Sequence, residues 1–233
     1  ARGRGLSNVL NLSNEETVKA HVSLRDFSQD QFLIMTTKDG IIKKSKLEDY
    51  SRPRTNGIIA INLKGKDELI SVHTSSGEDE ILISTKMGQA VRFKEEKVRS
   101  VGRNSMGVKG ITLKDKDSVV SSEVIKEEGV KILTVTENGF GKRTEVSKYR
   151  LTSRGGKGVT TLKITDKTGL IVNAFQTENE DDIVLLSSAG KATRLKTSDI
   201  SIIGRATQGV RLMKVGEDIK VVAVAKITEK ENE

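Results

Sequence analysis

Cations recur at a fixed phase in this sequence. Lys44, Arg92, Arg143 and Arg194 each stand four residues after a glycine (Gly40, Gly88, Gly139, Gly190), with Lys43, Lys46, Lys94, Lys142 and Lys196 beside them. A second series, Arg103, Arg154 and Arg205, falls four residues before Gly107, Gly158 and Gly209. Arg52 and Arg54 occupy the corresponding stretch near Gly57, and Lys157 joins the third loop. Guanidinium and ammonium groups do not cleave bonds in such an array. They bind anions, and a periodic array suits a polymer of phosphates.

The bulk numbers agree with that chemistry. The chain has 233 residues, a formal charge of +8 and a pI near 9.5, and such an imbalance raises the local concentration of polyanions. Acidic residues gather elsewhere, at Glu78-Asp79-Glu80, Glu127-Glu128, Glu178 and Glu180-Asp181-Asp182. There is no cysteine, which excludes disulfides, thiolate metal sites and cysteine nucleophiles. No apolar run approaches the roughly 20 residues of a membrane span, and the residues from Ala1 to Gly5 lack the apolar stretch of a signal peptide. The expected location is the cytoplasm.

The elements that must position the cations follow from an internal repeat. Four apolar runs, Phe32-Leu33-Ile34-Met35, Ile81-Leu82-Ile83-Ser84, Ile132-Leu133-Thr134-Val135 and Ile183-Val184-Leu185-Leu186, each lead into a turn ending at one of the first glycines, which step by 48, 51 and 51 residues. A short basic strand and a polar loop follow, then the second glycines Gly57, Gly107, Gly158 and Gly209, an apolar-rich strand and a closing strand. Short apolar runs bounded by turn residues read as buried strands, and glycine suits hairpin turns that need positive φ. Aromatics make up only 3% of the chain, so Ile, Leu and Val must build the core. Four strands in about 50 residues is a propeller-type signature, in which each small sheet buries its faces against its neighbours.

The predicted fold is therefore all-β and propeller-like, one domain over 1–233. It holds four complete four-stranded blades (25–73, 74–125, 126–177, 178–228) and a partial repeat at 1–24, where Gly5 to Leu12 and Thr17 to Val22 match the back half of a unit.

Equivalent residues of successive blades occupy equivalent places on a disc. The two cation series are accordingly expected to form one basic band, with Lys43, Lys44, Arg52, Arg54, Arg92, Lys94, Arg103, Lys142, Arg143, Arg154, Lys157, Arg194, Lys196 and Arg205 as DNA contacts. Reversal of Arg92, Arg143 and Arg194 to glutamate is expected to abolish duplex binding and leave the fold intact. Phosphate contact without base reading is the expected mode: no helix-turn-helix or zinc-ligand set appears, and the seven aromatics are too sparse to stack single strands. Bending a duplex around a rim costs a few kcal/mol for each site of about two to three helical turns, so several blades must act together.

Other readings are weaker. Propellers often serve as protein-interaction scaffolds, and an acidic partner could use the same rim. An enzyme is disfavoured, since His21 and His73 are the only histidines and no spaced metal ligands, nucleophile elbow or P-loop accompanies them. No cofactor is expected.

Several segments carry a family resemblance. Ala1-Arg2-Gly3-Arg4 leading to Asn8-Val9-Leu10-Asn11-Leu12, Thr74-Ser75-Ser76-Gly77-Glu78-Asp79-Glu80, Val91-Arg92-Phe93-Lys94-Glu95, Asn138-Gly139-Phe140-Gly141-Lys142-Arg143-Thr144 and Ile203-Gly204-Arg205-Ala206-Thr207-Gln208-Gly209-Val210 resemble the C-terminal domain of bacterial DNA gyrase A, with its topoisomerase IV counterpart as the near alternative. The resemblance implies a β-pinwheel whose blades exchange strands and around which duplex DNA wraps. It further implies support of ATP-driven negative supercoiling, the rest of gyrase A together with gyrase B as partners, and residence at the bacterial nucleoid. The DNA-cutting tyrosine belongs to an upstream region in the family, so Tyr50 and Tyr149 inherit no such role. The family's signature box, Gln-Arg-Arg-Gly-Gly-Lys-Gly, lies in its first blade. Ser153-Arg154-Gly155-Gly156-Lys157-Gly158 resembles the end of that box but sits in the third complete repeat, where its glycines would let the backbone approach phosphate.

Overall fold

The computed structural model describes residues 12, 16–24, 26, 27, 30–54 and 57–227. Most of the partial repeat expected at 1–24 lies outside them. Each repeat opens with a hairpin: β1 (Phe32–Thr37) and β2 (Ile41–Lys46), β4 (Glu80–Thr85) and β5 (Gln89–Lys94), β8 (Lys131–Thr136) and β9 (Phe140–Glu145), and β12 (Asp182–Ser187) and β13 (Ala192–Lys196). A 3-10 turn follows each hairpin, at Leu47–Tyr50, Glu95–Lys97, Val146–Lys148 and Thr197–Asp199. The closing strands are β3 (Leu69–Ser75), β7 (Val119–Ile125), β11 (Ile171–Thr177) and β15 (Val221–Ile227).

Three two-residue strands complete the set: β6 (Val108–Lys109), β10 (Val159–Thr160) and β14 (Val210–Arg211). Each pairs with the hairpin of the repeat before its own, giving sheet orders β3-β1-β2-β6, β10-β5-β4-β7 and β11-β8-β9-β14. The fourth sheet, β13-β12-β15, has three strands among the described residues. All ladders are antiparallel; Ile34 faces Lys44, Leu82 faces Arg92, Leu133 faces Arg143 and Val184 faces Arg194. The fold is the all-β pinwheel expected, and its blades cut across the sequence repeats.

The closing strands form the inner wall, where β3 packs on β7, β7 on β11 and β11 on β15. The hairpins extend outward, and the loop and short strand borrowed from the next repeat lie outside β2, β5 and β9.

The unbroken apolar runs have a direct cause. A strand sends alternate side chains to opposite faces, and here both faces meet a neighbouring sheet. Ile81 and Ile83 pack with Ile34 and Ile42 of the first blade, whereas Leu82 packs with Ile132 and Val146 of the third. Leu133 and Val135 continue the series towards Ile183 and Leu185.

Strand exchange also explains the second glycines. Gly158 has φ +76°, and a Cβ there would collide with the carbonyl of Ala90 on the outer strand of the preceding blade. Gly107 and Gly209 meet Ile42 and Gly141 in the same way, while Gly57 has nothing within 4 Å. The glycine is thus demanded where a borrowed strand docks.

Candidate nucleic-acid interface

The two cation series have different fates. In the first, the repeated residue points into the junction between blades. Lys44 is 6% exposed, with Nζ 2.9 Å from Glu95 Oε1 of the next repeat and 4.3 Å from the centre of the Phe32 ring. Glu95 is fully buried, and it also accepts from Ser75 Oγ at 2.7 Å and from the Gly77 and Asp79 amides. Arg92 donates from Nε to Glu80 Oε2 at 2.6 Å and from Nη1 to the carbonyls of Val146 and Tyr149 at 2.9 and 3.1 Å. Arg143 is 4% exposed and donates to Ile200 O at 2.9 Å, Asn179 Oδ1 at 2.7 Å and Ser198 O at 3.4 Å. Burial pushes its pKa down from the ordinary guanidinium value. Only Arg194 of this series is exposed; it donates to Asp182 Oδ2 within its own hairpin at 2.6 Å.

These cations recur because the blade junction recurs. Each of the first three reaches the 3-10 turn region of the following repeat, Lys44 at the Glu95 carboxylate and Arg92 and Arg143 at carbonyls that need donors. Lys43 and Lys142, one position earlier, are fully buried as well. The expectation that Lys43, Lys44, Arg92, Lys142 and Arg143 line an outer band is therefore corrected: a strand whose both faces are covered leaves no outward side for them. Lys94 and Lys196, at the ends of the outer strands, are exposed.

The second series lies on the perimeter. The loops 98–107, 150–158 and 201–209 each run beside the outer strand of the preceding blade, through parallel bridges of Ser100 to Lys44, Leu151 to Arg92 and Ile202 to Arg143. A backbone bond to the previous repeat recurs at equivalent positions: Asn62 N to Ser105 O at 3.2 Å, Thr112 N to Gly156 O at 2.9 Å and Lys163 N to Thr207 O at 3.0 Å. Each loop thus lies against the segment that follows the previous loop, and loop and segment alternate from blade to blade as a belt.

Arg103, Arg154 and Arg205 are half-exposed on this belt. Arg154 donates from Nε to Lys97 O at 3.0 Å and from Nη1 to Lys109 O, and Arg205 donates from Nη1 to Thr160 O at 2.8 Å. Each of these two guanidiniums braces a borrowed strand through Nη1, and Arg154 also holds Lys97 O through Nε. A guanidinium carries five N–H donors, so the remaining ones, those of Nη2 included, retain capacity for an oxyanion. Arg52, Arg54 and Lys157 are exposed, and Arg52, Arg54 and Arg103 line one surface hollow with Asn104 and the backbone of Gly57 to Ile59.

The glycine-rich loop has a structural job of its own. Gly155 N donates to Gly110 O at 2.8 Å, and Gly155 O accepts from Thr112 Oγ1 at 2.7 Å, so the loop packs against the preceding repeat and leaves Lys157 outermost.

Four exposed belt cations escaped the sequence reading: Arg99 and Arg150, eight residues before the second glycine, and Lys109 and Arg211, two residues after it. Their register was visible, but only strand exchange shows that position to be on the outside. His73 pairs with Ile34 on the inner wall, half-buried. Among the described residues no helix is long and apolar enough to cross a membrane.

Comparison with known proteins places this geometry. The family described as DNA gyrase C-terminal domain, beta-propeller, matches residues 31–76, 79–126, 131–178 and 181–228. The DNA gyrase A protein of Staphylococcus epidermidis is 44% identical over all of this chain, which spans 26% of that protein, and the Staphylococcus aureus protein is 43% identical over the same share. The chain thus covers about a quarter of the length of these relatives. A crystal structure of the C-terminal domain of DNA topoisomerase IV superposes with TM-score 0.89 at 26% identity, covering 97% of this chain and 70% of that one. A DNA gyrase A C-terminal domain superposes with TM-score 0.86 at 29% identity, covering 98% and 76%. Repeat by repeat and over nearly its whole length, the chain belongs to the DNA gyrase A C-terminal domain family.

Proposed function

We propose that this chain binds duplex DNA without sequence preference along the outer belt of loops and bends it around the disc. In the whole protein it would thereby support negative supercoiling by DNA gyrase, with the rest of gyrase A together with gyrase B as partners, in the cytoplasm at the nucleoid. The chain's own part is to hold DNA; the strand-cutting chemistry belongs to the larger protein.

The observation that supports the reading is the thrice-repeated backbone bond that sets each arginine-bearing loop against the segment following the previous loop. Arg52, Arg54, Arg103, Arg154, Lys157, Arg205 and the exposed Lys94, Arg194 and Lys196 are the contacts, with Arg99, Lys109, Arg150 and Arg211 added. Phosphate contacts fix a duplex in place and carry no sequence information, which suits a belt without stacking aromatics. A curved track spreads the cost of bending over several blades.

The test is topological. Closed circular DNA is relaxed by a nicking-closing enzyme in the presence of increasing amounts of this chain, then deproteinised. Wrapping predicts a linking-number change that grows with bound chain. Tight binding with no such change would leave binding intact and eliminate wrapping.

A further inference from the structure

Two buried lysines face the belt from beneath. Lys142 Nζ donates to Gly204 O at 2.6 Å, to Arg205 O and to Thr207 Oγ1 at 3.1 Å, so all three ammonium protons are used on one loop. Lys43 Nζ donates to Arg103 O and to Ala60 O at 2.7 Å. Each ammonium therefore holds the carbonyl of the residue whose guanidinium lies on the perimeter. The same strand position is Val91 in the second repeat and Thr193 in the fourth. The loop over Val91 is fixed instead by its glycines and by Thr112.

We propose that Lys43 and Lys142 are positioning residues for DNA: neither reaches the duplex, but each clamps the loop that presents Arg103 or Arg205 and so sets its affinity for phosphate. The inference rests on the belt reading above. A loop held at its own carbonyl keeps the guanidinium in place before the phosphate arrives, so less ordering is required on binding.

Electrostatics add a signature. Burial, with Arg103 assisting and Asp49 opposing, lowers the pKa of Lys43 to about 8; burial and Arg205 lower that of Lys142 to about 8. The other titratable groups beside them are Tyr50, whose hydroxyl shares the Ala60 carbonyl with Lys43, and Tyr149, which bonds Thr161. Phosphate beside Arg103 and Arg205 offsets the charges that disfavour the ammonium. Binding then takes up protons, and by linkage duplex affinity falls as pH rises through about 8.

The experiment measures affinity for a random-sequence duplex by fluorescence anisotropy at fixed ionic strength, from pH 7 to 9.5, for the unaltered chain, K43M/K142M and R103Q/R205Q. At pH 7 each lost phosphate contact should weaken binding about fivefold at 0.15 M salt, and K43M/K142M should approach R103Q/R205Q. The unaltered chain should bind more weakly above pH 8, and K43M/K142M should give a flat profile. A loss in R103Q/R205Q with none in K43M/K142M overturns the clamp and keeps the belt. No loss in R103Q/R205Q overturns both. Should K43M/K142M fail to fold, a flat pH profile for the unaltered chain overturns the clamp by itself.

Discussion

Replacing Arg143 by methionine should lower stability far more than any direct effect on DNA contact would suggest. Arg143 is 4% exposed, and the two shorter of its guanidinium's three bonds, 2.7 and 2.9 Å to Asn179 Oδ1 and Ile200 O, cross the junction between the third and fourth blades. Methionine fills much of the space but donates nothing, so both bonds are lost. Bonds from a charged donor contribute about 1.5 kcal/mol each at the low end, so the loss is about 3 kcal/mol. In a domain of this size each kcal/mol moves the melting temperature by about 2–4 °C, which gives a drop of about 6–12 °C. Thermal unfolding followed by circular dichroism reads the shift, with Arg150→Met, an exposed position, as the control expected to stay within about 0.5 kcal/mol. If Arg143→Met melted with the control and lost duplex affinity instead, the junction assignment would be refuted and Arg143 would belong to the interface. The same reasoning changes what charge reversal does. Glutamate at Arg143 sets a carboxylate against carbonyl oxygens, so the triple reversal of Arg92, Arg143 and Arg194 should lose the fold together with DNA binding.

Two further outcomes follow from the packing and the titrations. Gly158→Ala places a Cβ against the Ala90 carbonyl at φ +76°, so it should destabilise by about 1–3 kcal/mol in denaturant melts, whereas Gly190→Ala, where nothing lies within 4 Å, should lose less. Stability should depend on pH through Lys43 and Lys142. Their folded pKa of about 8 lies below the ordinary 10.5, so between these values the unfolded chain holds protons that the folded chain has released, and stability rises with pH. Tyr50 and Tyr149 are shifted up from 10.0, and there the unfolded chain ionises first, which opposes the rise as pH passes 10. Urea unfolding at pH 7.5, 8.5 and 9.5 should show stability increasing at each step.

The repeat made the architecture readable. Ile81, Leu82 and Ile83 announce a strand covered on both faces, and the glycine phases mark the turn and the docking of the borrowed strand. The cations were less readable, because periodicity cannot separate a residue repeated for a ligand from one repeated for a junction. Lys44, Arg92 and Arg143 share their phase with the 3-10 turn they meet in the next repeat. Arg103, Arg154 and Arg205 share theirs with the loop outside it. Both series look alike in one dimension, and strand exchange, which sets what covers the outer strand, sends one inward and the other outward. Lys109 and Arg211 escaped notice for the same reason, since a strand that crosses to another blade changes which of its side chains face water.

The belt is tested most directly by the salt dependence of duplex affinity in the chain carrying Arg103→Gln, Arg154→Gln and Arg205→Gln, compared with the unaltered chain. Each phosphate contact adds about 0.9 to the slope of log K against log salt, so three lost contacts should flatten it by about 2.7 and weaken binding about two hundredfold at 0.15 M salt. An unchanged slope, in a variant that melts normally, would show that DNA runs elsewhere on the molecule.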